Sequence, residues 1–88
     1  MHAFNSEKVL FTQLGDEGVL FQVETNEYFS TNETFTKIVL GLQNQLTSEQ
    51  IIEGLRFEFE IDEASCKKSV DHALKTLVEK GFIDYHAI

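Results

Sequence analysis

The sequence predicts an α+β domain: a three-stranded antiparallel sheet followed by three helices, in a winged helix-turn-helix-like order. Three observations carry this reading. Residues 8–30 show period-two apolar patterning broken by turn chemistry. Residues 35–78 show three apolar stripes at helical spacing. A residue suited to capping precedes each stripe. Strands grouped ahead of helices mark α+β rather than alternating α/β architecture. The chain has 88 residues, no proline and no low-complexity linker, so residues 1–88 are expected to form one domain.

The first strand is read in KVLFTQL, residues 8–14, where Val9 and Phe11 alternate with Leu10 and Thr12. GDEG, residues 15–18, brackets two acids with glycines and reads as a turn. VLFQVE, residues 19–24, sets Val19, Phe21 and Val23 on one face and Leu20, Gln22 and Glu24 on the other, a half-buried strand. TNE, residues 25–27, turns the chain into a third short strand at YFS.

Phe35, Ile38, Val39 and Leu42 fall at i, i+3, i+4 and i+7, the stripe of a first helix capped by Asn32 and ended by QNQ at 43–45. Thr47 to Gln50 has the T-x-x-Q form of a capping box. It opens a second helix with stripe Leu46, Ile51, Ile52, Leu55 and Phe59, expected to run to about residue 58. Asp62 caps a third helix whose apolar face is Cys66, Val70, Ala73, Leu74, Leu77 and Val78, with Gly81 as its stop. The first two helices are expected to form the helix-turn-helix-like pair and the third to lie across the sheet. Phe82 and Ile83, in the tail, are expected to pack inward.

Composition narrows the function. Fifteen acidic against seven basic residues give a formal charge of −8. Such a surface repels phosphate backbones and anionic lipid, and suits a basic or neutral polypeptide partner. No apolar run approaches the ~20 residues of a membrane span. The single cysteine, Cys66, makes no internal disulfide, so a cytoplasmic setting is expected. Cys66 falls on an apolar stripe, and His2, His72 and His86 are scattered, so no metal or cofactor is expected. GDEG lacks the lysine and the following helix of a phosphate loop. An enzyme is therefore not expected. Lys67, Lys68, Lys75 and Lys80 gather on the third helix or at its end. They read either as a salt-bridged solvent face, with Glu63–Lys67 and Asp71–Lys75 at i, i+4, or as a basic rim beside a groove. A winged helix also raises DNA regulation as an alternative, which the acids of the second helix oppose.

Laid out this way, the chain resembles the pyrroloquinoline-quinone biosynthesis protein D (PqqD-like) family, small domains also called RiPP recognition elements (RiPPs are ribosomally made, post-translationally modified peptides). The resemblance covers about residues 8–83. It is carried by DEG before the second strand, YFSTNETFTKIV, LTSEQIIEGL, FEID and VDHALKTLVEKGFI. Two positions depart: Thr31 stands where the family usually has Leu, and Ser69 where an Asp usually opens the last helical motif.

The resemblance implies a peptide chaperone. Such a domain binds the leader segment of a precursor peptide as an added antiparallel strand and presents it to a modifying enzyme. That enzyme would be a radical S-adenosylmethionine protein or a leader peptidase/cyclase. Carried onto this sequence, the strand side of the site is Glu27, Tyr28, Phe29, Ser30 and Thr31. The helix side is Lys67, Lys68, Asp71, Leu74, Lys75 and Val78. Strand alternation lets only one of Tyr28 and Phe29 face the groove. The same open edge could instead pair with a second copy in a homodimer.

Overall fold

A computed structural model describes residues 2–4 and 7–85. In chain order the elements are β1 (His2–Phe4), β2 (Val9–Leu14), β3 (Glu17–Gln22), β4 (Glu27–Thr31), α1 (Glu33–Gln43), α2 (Ser48–Phe59), α3 (Glu63–Glu79) and β5 (Ile83–Tyr85). The predicted meander is present as β2-β3-β4, antiparallel throughout, in register from Val9↔Gln22 to Leu14↔Glu17 and from Gly18↔Thr31 to Gln22↔Glu27. A second ribbon pairs β1 with β5, His2 opposite Tyr85. Strands of three residues are too short to show a period, which is why this ribbon was invisible in the sequence.

The capping residues act as their chemistry predicts. Asn32 Oδ1 accepts from the Phe35 N–H at 2.8 Å. Thr47 and Gln50 exchange both bonds of a capping box, at 3.2 and 2.8 Å. The Ser65 N–H donates to Asp62 Oδ2 at 2.9 Å and holds that carboxyl below the usual carboxylate range. Helix ends are equally specific. Gln45, at φ 62°, lets Leu46 N–H reach Gly41 O at 3.0 Å. Gly81, at φ 79°, lets Phe82 N–H reach Leu77 O at 2.9 Å and Gly81 N–H reach Val78 O at 3.1 Å. This double closure is a Schellman motif, and it drives Phe82 back into the core.

The core is formed by Val9 and Leu20 of the sheet, Ile38, Val39 and Leu42 of α1, Ile51 and Leu55 of α2, the predicted stripe of α3 apart from Val78, and Phe82 and Ile83. Cys66 lies in it, donating from Sγ to Ile52 O at 3.5 Å, and burial pushes its thiol pKa up. Two glycines set how closely elements approach. A Cβ on Gly18 would stand 2.5 Å from Phe11 Cε1, so the Phe11 ring lies over a position that must be bare. A Cβ on Gly41 would stand 2.8 Å from Ile51 Cγ1, so α2 packs directly on the α1 backbone. Gly54 has no such duty: nothing lies within 4 Å of its missing Cβ. It sits mid-helix on an exposed face, and Gly54→Ala is expected to raise stability by about 0.5–1 kcal/mol, read as a higher urea midpoint at unchanged m-value.

One expectation needs correction. The helix against the sheet is α1, which lies on β3 and β4, whereas α3 packs on α2 and β5 and reaches the sheet through its C-terminal end. The apolar face of β3 is the outward one. Leu20 and Gln22 are buried, while Val19 and Phe21 are half-covered and Val23 is exposed. Gln22 is suited to its inward place because both ends of its amide are engaged. Its Nε2 donates to Gly81 O at 3.3 Å and its Oε1 accepts from the Glu24 N–H at 2.9 Å.

Candidate functional site

β4 is an edge strand; among the described residues only β3 pairs with it. The direction of its main-chain groups follows from ladder parity. The Val23 N–H donates to Lys8 O at 2.9 Å. Alternation along β3 therefore sends the groups of Val19, Phe21 and Val23 toward β2, and those of Gly18, Leu20 and Gln22 toward β4. The opposed residues Thr31, Phe29 and Glu27 use their main chain on β3. Tyr28 and Ser30 turn theirs outward, to the open edge.

Side chains alternate at right angles to this. Tyr28 lies on the outer face of the sheet, 72% exposed and stacked on Phe21 with ring centroids 4.5 Å apart. Phe29 points to the helices, 5.2 Å from the Phe35 ring and 6.0 Å from Phe82. Phe29 is thus the member of the pair that faces inward. The Lys80 ammonium sits 5.4 Å over its ring, close enough for a cation–π contact. Thr31 is buried, its hydroxyl 2.7 Å from that of Thr36. A leucine could not make that bond, so the departure at Thr31 has a structural role tying β4 to α1. Glu27 and Ser30 are exposed.

The third helix presents two different flanks. Ser69, His72 and Ala73 line a cavity of about 290 Å³ with Asn32, Thr34, Phe35 and Ile38 of the β4–α1 junction. Thr76 and Lys80 continue this flank, at i+7 and i+11 from Ser69, and Lys80 brings it to Phe29. Lys67 and Asp71 lie on the other flank. They line a cavity of about 340 Å³ with Ser48, Glu49, Ile52, Glu53, Arg56 and Glu63.

The helix-side residues carried over in sequence are spread over more than one face of α3. Lys67 and Asp71 face α2, Leu74 is in the core at 3% exposure, and Lys68, Lys75 and Val78 are exposed. The reason is helical phase. At about 100° per residue, the positions after Cys66 and Val70 rotate toward α2, and those before Val70 and Leu77 rotate toward β4. The i, i+4 pairs expected on α3 do not form. The described ion pairs are Lys8–Glu24 at 2.8 Å, Lys37–Glu58 at 3.2 Å and Arg56–Glu63 at 3.8 Å. Ser69, His72 and Ala73, which line the cavity at the β4–α1 junction, were not among the site residues expected from sequence, whereas Lys80 was already read as part of a basic rim beside a groove. Ala73, small and on the stripe, was the available signal for this flank.

The described residues contain no cluster of three His, Cys, Asp or Glu suited to a metal and no helix long and apolar enough to cross a membrane. The arrangement can do one thing well: an exposed strand edge, with an aromatic floor and a helix flank beside it, can pair with an extended polypeptide.

Three comparisons bear on this. A family model described as Coenzyme PQQ synthesis protein D (PqqD) matches residues 17–83. A solved structure of TbiB1 in complex with the TbiA(beta) leader peptide superposes with TM-score 0.90 at 21% identity, covering 98% of this chain and 99% of that one. A second, of lasso peptide synthetase B1 complexed with the leader peptide, gives TM-score 0.86 at 19% identity, covering 96% and 98%. No curated protein matches the chain.

Proposed function

From the premise that this chain belongs to the PqqD family, we propose that it is a peptide chaperone, binding the leader segment of a precursor peptide by strand addition to β4. The observation that carries the reading is the parity of β4. Tyr28 and Ser30 offer free N–H and C=O groups at an edge whose neighbouring groove is floored by Phe29 and flanked by α3. Main-chain pairing supplies affinity, and alternate leader side chains enter the groove and supply selectivity. The cavity at Asn32, Phe35, Ser69, His72 and Ala73 accepts one such side chain. The Lys80 ammonium stands at the other end and favours an acidic or aromatic leader residue there.

The chain carries out no chemistry on the peptide in this reading. It presents the leader to a modifying enzyme, a radical S-adenosylmethionine protein or a leader peptidase/cyclase. The acids of α2, Glu49, Glu53 and Glu58 against a single Arg56, oppose a DNA partner.

Fluorescence anisotropy with a synthetic leader, taken from the precursor gene beside this chain's own, tests the proposal. Saturable binding at or below about tens of micromolar is expected, since a leader that orders on binding loses affinity to entropy. Lys80→Glu is expected to weaken it several-fold with no change in the far-ultraviolet circular dichroism. Absence of saturation, or a DNA mobility shift at low salt, would overturn the reading.

A further inference from the structure

The outer face of the sheet is an apolar strip that nothing in the described chain covers. Registered pairing builds it in rows: Leu10, Phe21 and Tyr28 in one, Thr12, Val19 and Ser30 in the next, with Leu14 opposite Glu17 at one end and Val23 at the other. Leu10 is 57% exposed, Leu14 64% and Val23 42%. Isolated exposed apolar residues such as Phe57 are ordinary on a protein surface, but a contiguous patch is not. Here the strand keeps its more apolar side out and seats a glutamine within, against the usual rule of alternation.

We propose that this face docks a protein partner, the modifying enzyme, through an apolar strip with lysine or arginine side chains at the end that meets the β2–β3 turn. Two observations choose this occupant. Carboxylates stand at one end of the strip, Asp16 and Glu17 at the β2–β3 turn, while beyond Val23 the Glu24 carboxylate is already paired with Lys8 at 2.8 Å. On a chain of net charge −8, that pattern repels a second copy and an anionic membrane, and matches a basic rim. The strip is also continuous with the β4 edge. A leader strand paired at Tyr28 and Ser30 places alternate side chains on the same outer face. Those side chains extend the Leu10–Phe21–Tyr28 row by one more strand, so the enzyme meets chain and leader as one surface. The proposal rests on the leader-binding reading and names the partner of that complex.

The test uses the full chain, the synthetic leader and the purified modifying enzyme encoded beside this chain's gene. Leu10→Lys and Leu14→Lys lie on β2, away from the leader edge, and each puts a charge into the apolar strip. Either is expected to weaken the enzyme's affinity for the leader-loaded chain by about tenfold or more, as a buried interface position does. Leader affinity should stay within about twofold of the parent, because neither side chain touches β4. Raising salt should weaken the parent complex with the enzyme. Enzyme affinity unchanged in both variants, with leader binding intact, overturns the docking face alone. So does a chain homodimer in sedimentation that Leu10→Lys dissolves, since a second copy then occupies the strip. Failure of the parent chain to bind leader is a separate result that strikes the leader-binding reading.

Discussion

N-methylation along a synthetic leader is expected to weaken binding in a period-two pattern, by about tenfold at every second amide and little between. The pattern follows from β4 parity, because only Tyr28 and Ser30 present main-chain groups to the edge. A strand laid there alternates between amides that pair with them and amides that face solvent. One lost hydrogen bond accounts for about 0.5–1.5 kcal/mol, and the methyl group also holds the strands apart. A set of methylated peptides measured by anisotropy gives the result directly. A flat profile, or one with helical spacing, would rule out strand addition while leaving binding itself in place. The experiment leaves the chain's own fold untouched, so no loss can be assigned to unfolding.

Leu77→Ala is expected to cost about 2–5 kcal/mol, the range for truncating a fully buried leucine. At about 0.05–0.15 kcal/mol per residue, a domain this size has roughly 4–13 kcal/mol in total. Leu77 has no exposure, stands on the α3 stripe, and its carbonyl receives the Phe82 N–H that closes the helix. Phe82 in turn lies beside Phe29 at the groove floor. The variant should therefore show a lowered urea midpoint and a weakened leader affinity together. A drop below about 1 kcal/mol would mean that the site collapses around the missing atoms. Leu77→Met, which keeps volume, is expected to retain most of both properties.

Much of the fold was legible because its signals are local. Asn32, Thr47 with Gln50, and Asp62 begin helices by bonding within their own first turn, so no distant residue had to be known. The α3 stripe repeats often enough for its inward side to be read. What stayed hidden depends on comparing alternatives of similar apolarity. Both faces of β3 carry apolar residues, and the inward one is set by tertiary contacts: Leu20 is seated in the core and Gln22 reaches Gly81, 59 positions away. The helix flank of the site is hard to read from sequence for a related reason. The apolar stripe gives the buried side of α3, but which neighbour lies to its left or right is a matter of tertiary arrangement. Thr31 and Ser69, the two departures from the family pattern, turned out to be informative, one bonded to Thr36 and the other lining the cavity beside β4.

The β1–β5 ribbon joins His2 to Tyr85, so its loop contains nearly the whole chain. Closing so long a loop carries the largest entropic cost of any contact in the molecule. The ribbon is therefore expected to close late in folding and to lose its amide protection early under mild denaturant, a result native-state hydrogen exchange would read. The meander, held by shorter loops, is expected to keep its protection longer. On that expectation the β4 edge lies in the more persistent part of the molecule, and opening of the ribbon leaves a template for pairing in place.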